Sequence, residues 1–119
     1  MSMPNYKQGD IVWLKTESTL PDGKVLKHPF LIISSDRSNS YESFYTGVML
    51  TSSLKKDSFT FECTEAMFEA AIKKEFQQIR MYITASFRDV DIEKLMNRLD
   101  STFIEPILTQ INSLVFSKS

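Results

Sequence analysis

A mainly β domain, a curved sheet of short strands closed by one C-terminal amphipathic helix, is the fold class this sequence predicts. Three observations point to it. Runs rich in β-branched and aromatic residues recur between residues 11 and 87, and polar turn clusters separate them. The last twenty residues instead place apolar side chains three and four apart, the period of a helix with one buried stripe. The chain has 119 residues, 42% of them hydrophobic and 24% charged, which is enough for one core and too little for two, so residues 1–119 are expected to form a single domain.

The first strand is expected at Ile11-Val12-Trp13-Leu14-Lys15-Thr16. Residues Glu17 to Leu26 hold Pro21-Asp22-Gly23 and read as a long exposed loop; Pro29-Phe30-Leu31-Ile32-Ile33-Ser34 then supplies a second, buried strand. A polar surface connection over Ser35 to Ser43 leads to a third strand, Phe44 to Thr51, in which Gly47 marks a bulge or a close approach. Phe59-Thr60-Phe61-Glu62-Cys63-Thr64 alternates as a half-buried strand does. Glu65 to Lys74 is rich in helix formers, with Glu69 and Lys73 four apart, and suggests a short helix. Phe76 to Phe87 returns to strand character, while Leu95 to Leu99 is open between a strand and the end of a helical turn begun at Asp91. In the final helix Phe103, Ile104, Ile107, Leu108, Ile111, Leu114 and Val115 form the stripe. Thr102 and Glu105 have the spacing of a capping box, which puts Pro106 in the first turns.

Composition removes several classes of function. Three scattered glycines, Gly9, Gly23 and Gly47, cannot make a phosphate-cradling loop. One cysteine, Cys63, and one histidine, His28, cannot build a Cys/His zinc cage, and no metal or cofactor is expected. Cys63 reads as a small core residue. The N-terminus lacks a basic stretch followed by an apolar run, and no apolar segment approaches membrane-spanning length, so the expected location is cytoplasmic. With a formal charge of -1, affinity for a phosphate polymer has to come from a local basic patch. His28 stands where the exposed loop enters a buried strand, and its imidazole can act as acid or base in metal-free phosphodiester cleavage; a lone surface histidine is more often a bystander.

The motifs together give the histidine more weight. Gly9-Asp10-Ile11-Val12-Trp13, His28-Pro29-Phe30-Leu31-Ile32-Ile33-Ser34, Ser35-Asp36 with Asn39-Ser40-Tyr41, Val48-Met49-Leu50-Thr51-Ser52, Gln78-Ile79-Arg80 and Leu99-Asp100 resemble, in order and spacing, the successive signatures of the MazF/PemK-like toxins of type II toxin-antitoxin systems. The resemblance implies a small SH3-like β-barrel with a C-terminal helix, the MazF/CcdB-like architecture. It also implies a homodimer, metal-independent endoribonuclease action on single-stranded RNA, and a small acidic antitoxin as partner. In that family an Arg precedes the Pro of the second strand and a Thr or Ser ends the third, and both act on the scissile phosphate. Thr51 matches, whereas His28 occupies the Arg position.

Two readings follow. In the first, the chain is a toxin-like endoribonuclease of altered or weakened activity, with His28 and Thr51 catalytic and Lys24, Lys27, Arg37, Ser52 and Arg80 binding substrate. A guanidinium offers a fixed fork to a phosphorane and an imidazole does not, yet an imidazole can still take or give a proton. In the second, the chain is a catalytically inactive binding module that keeps the fold and the dimer. The terminal helix and the Gln78 to Tyr82 strand are the expected dimer contacts, and Arg80 has an internal ion pair as its plainer alternative role.

Overall fold

The computed structural model describes residues 4–15, 18–19, 25–53, 57–71 and 78–119. Its strands are β1 (Asp10–Leu14), β2 (Ser18–Thr19), β3 (Val25–Leu26), β4 (Pro29–Ile32), β5 (Phe44–Thr51), β6 (Thr60–Glu62), β7 (Gln78–Arg88) and β8 (Ile92–Arg98). Two helices, α1 (Asp36–Asn39) and α2 (Ile104–Leu114), accompany them. Six strands form one antiparallel sheet in the order β6-β7-β5-β4-β1-β8, and β2 pairs with β3 as a separate two-stranded ribbon. The segment read from sequence as a plain loop therefore contains a short hairpin; its tip lies outside the described residues.

The sheet stays open, with β6 and β8 as its edges among the described residues. A strap draws those edges together. Phe68 bridges to Leu99, Glu69 N–H donates to the Arg98 carbonyl (2.9 Å), and Asp100 N–H donates to the Met67 carbonyl (2.7 Å). The Asn97 side chain completes it, accepting from Ala70 N–H at 3.0 Å and donating to the Ala70 carbonyl at 3.2 Å. This strap replaces the helix expected over Glu65 to Lys74: only Glu65–Met67 makes a 3₁₀ turn, and residues 72–77 lie outside the described residues. The chain leaves helical geometry there because buried Met67 and Phe68 and the edge hydrogen bonds outweigh a weak local propensity.

Alternation along the strands splits the apolar side chains between two faces. Ile11, Leu31, Val48, Leu50, Ile79 and Met81 lie on one face and pack with Ile107 and Ile111 of α2. Val12, Phe30, Ile32, Tyr45, Phe87 and Ile92 form a second cluster. The predicted stripe of α2 is the buried one, with Ile107 and Ile111 each 1% exposed, although Leu114 remains 40% exposed. The cap differs from expectation. Asp100, not Thr102, accepts the Thr102 N–H (3.0 Å) and hydroxyl (2.7 Å), starting a 3₁₀ turn at Ser101–Phe103 that runs into α2 with Pro106 in its first turn. The ambiguity after residue 91 resolves as a 3₁₀ turn at Asp89–Asp91 followed by β8. Cys63 is a core residue, as its strand position suggested; burial and the neighbouring Glu62 carboxylate push its thiol up to about 12.

Gly47 is the tightest point of β5. A Cβ there would lie 3.0 Å from the Leu31 carbonyl oxygen, 3.1 Å from a Phe87 ring carbon and 3.2 Å from Phe30 Cβ. The approach spans both neighbouring strands, so a methyl group cannot be relieved by moving one side chain. Gly47→Ala should lower unfolding stability by about 1–3 kcal/mol, read as a reduced urea midpoint at unchanged slope. An unchanged midpoint would show that β5 has slack at this position.

Candidate functional site

Strand register assembles the site. Phe30 pairs with Met49, Met49 with Arg80, and Arg80 with Thr60, so these four side chains share one face in a row across β4, β5, β7 and β6. The next row on that face holds Thr51, paired with Gln78, which pairs in turn with Glu62. The β4–β5 pairs stop at Phe30 and Met49; extending the same register by two residues past them would set His28 opposite Thr51. The Leu50 backbone lies near the His28 ring and favours its protonated form. The polar row thus begins where the Phe30, Met49 and Phe87 packing ends.

Thr51 is 6% exposed, and its hydroxyl oxygen accepts from Ser53 N–H at 3.2 Å, leaving its own hydrogen free to donate elsewhere. Two side-chain atoms in the row, His28 Nε2 and Gln78 Oε1, are buried without a hydrogen-bond partner among the described residues. Such atoms cost folding free energy and are rare in native proteins, which makes a pair of them in one row a chemical signal. In a neutral imidazole one ring nitrogen carries the proton and the other a free lone pair.

Arg80 borders the row. Its guanidinium donates to the Tyr82 hydroxyl (3.1 Å) and to Ser53 Oγ (3.3 Å) and lies 3.7 Å from the Asp57 carboxylate. Burial, and then the Arg80 charge, lower the His28 pKa, against the opposing effect of the Leu50 backbone. The ring is therefore neutral at neutral pH. Among the described residues no three His, Cys, Asp or Glu side chains come together to hold a metal ion.

Of the residues singled out in the sequence, the structure brings His28, Thr51 and Arg80 together. Ser52 follows Thr51 but is exposed, and it is Ser53 that bonds to both Thr51 and Arg80. Lys27 turns away: its ammonium pairs with both oxygens of Glu93 (3.0 and 3.1 Å) and sits 5.6 Å from the centre of the Trp13 ring, on the β1–β8 side. Arg37 lies on α1 beyond the far end of β4, separated from His28 by roughly 15–20 Å of chain at about 3.3 Å per strand residue. Lys24 lies outside the described residues. Gln78 was not marked as a site residue; its signal was a glutamine beginning a strand of otherwise core-forming alternation, directly across from Thr51.

The fold is that of the MazF-like proteins. An endoribonuclease in complex with its cognate antitoxin from a mycobacterial species superimposes with a TM-score of 0.70 at 11% identity, over 96% of this chain and 98% of that one. MazE-MazF from Deinococcus radiodurans superimposes at 0.68 with 15% identity over 98% and 100% of the two chains, and MazF from the same organism at 0.66 with 16% identity over 94% and 97%. No curated protein is significantly similar in sequence. The model of the PemK-like, MazF-like toxins of type II toxin-antitoxin systems matches residues 7–115, and the chain belongs to that family.

The lowered His28 pKa has a measurable consequence for stability. Below its ordinary value of 6.5 the unfolded chain takes up a proton at this ring that the folded chain refuses, so stability falls as pH drops through 6.5 and levels off beneath the lowered folded value. His28→Gln should remove this component, flattening the dependence of the urea midpoint on pH as the pH falls through the ordinary histidine value of 6.5. Equal slopes in the two proteins would place the imidazole in water.

Proposed function

We propose that this chain, as one domain over residues 1–119, is a metal-independent endoribonuclease that cleaves single-stranded RNA. The membership of the family and the fold shared with endoribonucleases support the class of reaction. The observation that carries the reading to this chain is the row itself: an imidazole nitrogen and an amide oxygen that are buried without a partner among the described residues, on the sheet face that also carries the Thr51 hydroxyl.

In this reading His28 Nε2 accepts the proton of the 2′-hydroxyl as that oxygen attacks the adjacent phosphorus. The 5′-oxygen leaves and takes a proton from solvent, giving a 2′,3′-cyclic phosphate and a 5′-hydroxyl. Thr51 donates a hydrogen bond to a non-bridging phosphate oxygen, and the Arg80 guanidinium supplies the positive charge on the same side. Gln78 Oε1 accepts from a ribose hydroxyl or a base N–H. Because His28 stands where the family places an arginine, the rate should be below that of an arginine-bearing relative, and it should decline in acid as the base is protonated. Lys24 keeps its expected contact with RNA, while Ser52 and Arg37 are left with peripheral ones. A homodimer and a small acidic antitoxin are the expected partners, in keeping with the antitoxin complexes of similar fold, and the expected location is the cytoplasm. Gln78, Ile79 and Met81 are buried within the chain, so of the Gln78 to Tyr82 strand it is mainly Tyr82 that is available to a second copy.

The test is incubation of purified protein with mixed-sequence RNA in the presence of a chelator. Cleavage with 2′,3′-cyclic phosphate ends is expected, reduced about 10²–10⁴-fold by His28→Ala and strongly by Thr51→Val. Intact RNA at every protein concentration, with cleavage appearing only in His28→Arg, would instead identify an inert binding module that keeps the fold.

A further inference from the structure

Beside the row, β7 departs from regular pairing. Val48 pairs with Thr84 while the next β5 residue, Met49, pairs with Arg80, so Met81, Tyr82 and Ile83 are looped out of the β5 register. A bulge of this kind re-aims side chains, and here Tyr82 stands 46% exposed. Its ring meets that of Phe59, itself 41% exposed, edge to face with centroids 6.0 Å apart and planes at 73°. The two rings are braced from below. Arg80 donates to the Tyr82 hydroxyl and pairs with Asp57, Asp57 Oδ1 accepts from Phe59 N–H at 2.8 Å, and the Phe59 carbonyl accepts from Met81 N–H at 3.0 Å.

Two exposed aromatic rings held in a fixed pose are costly to leave in water unless something covers them. The neighbourhood selects the cover. Arg80, which touches the Tyr82 hydroxyl, pairs across the sheet with Met49, one row (about 7 Å of strand) from Thr51 and Gln78. A strand of RNA with a phosphate at His28 and Thr51 therefore has a neighbouring base within reach of the rings, and the guanidinium favours a chain of negative charge running beside them. We infer that Phe59 and Tyr82 form a stacking platform for the unpaired base next to the scissile phosphate, and that this platform favours a purine, the larger π surface, at that position. The inference rests on the ribonuclease reading of the same site and adds the residues that determine its base preference.

The experiment measures binding of a fluorescent RNA carrying a 2′-deoxy substitution at the cleaved position, so that chemistry does not intervene. Phe59→Ala, Tyr82→Ala and the double variant should each weaken binding, the double variant about 5- to 100-fold, the range associated with losing one base–aromatic stack. Val90→Ala, which removes exposed apolar surface elsewhere, should change nothing. Removing the stacked base from the RNA should cost the wild type a similar factor and the double variant none. Phe59→Leu keeps the apolar bulk, and so guards the fold, but should lose the purine preference. Equal RNA binding by wild type and double variant overturns the platform and leaves the ribonuclease reading standing, as does a ring variant that changes only the oligomeric state. A wild type that neither binds nor cuts RNA overturns both.

Discussion

The antiparallel pairing of β5 with β4 on one side and β7 on the other is the constraint on which the rest of the molecule depends. It places Gly47 between Leu31, Phe30 and Phe87, where only a residue without a side chain leaves room. It sends Val48 and Leu50 to the helix-covered face and Tyr45 and Met49 to the other. By the same alternation it carries Thr51 past the end of the second apolar cluster and sets it beside Gln78 and His28. A one-residue slip in either ladder would turn Thr51 into the core and Leu50 into the polar row. Fold and candidate chemistry are thus fixed by one register.

In the proposed reading, an imidazole stands where the resemblance puts a guanidinium, and that exchange changes the physics of the site. A guanidinium is always charged and binds phosphate in both ground and transition states, whereas a neutral imidazole does little until a proton moves. The burial and the Arg80 charge that lower the His28 pKa favour the neutral ring that the proposed reading uses as a base. Charge is then supplied from β7 by Arg80, which stands one row away and is held by Tyr82, Ser53 and Asp57. In the proposed ribonuclease reading, proton transfer and charge stabilisation are divided between two strands, and the proposed stacking surface of Phe59 and Tyr82 adjoins the cationic half.

Much of the architecture was legible in the sequence because its signals were local. Phe44 to Thr51 reads as a strand from composition alone, and the Ile107 and Ile111 spacing gives the helix and its buried face. What was missed depends on contacts between distant segments. The strap at Met67 to Ala70 is held by Asn97 to Asp100, nearly thirty residues on, and nothing in Glu65 to Lys74 announces it. Asp100 captured the cap from Thr102 because its carboxylate reaches both the Thr102 N–H and hydroxyl. In the candidate site, motif order singled out His28 and Thr51, while Lys27 pairs with Glu93 and Arg37 lies on α1 past the other end of β4, placements that follow from chain geometry and not from local sequence: adjacent residues of an extended chain point to opposite faces, and a strand carries its two ends far apart. The role of Gln78 depends on register, which no local pattern encodes.

The central claim is that His28, Thr51 and Gln78 act as one RNA-binding row. Its most direct test is nuclear magnetic resonance of the labelled protein titrated with a 2′-deoxy-substituted RNA that cannot be cut. The account predicts that the His28 Nε2 resonance and the Gln78 and Thr51 side-chain resonances shift together along one saturation curve, while those of Arg37 and Lys27 stay in place. Shifts confined to Arg37 and the far end of β4, with the His28 ring unmoved at saturation, would contradict it.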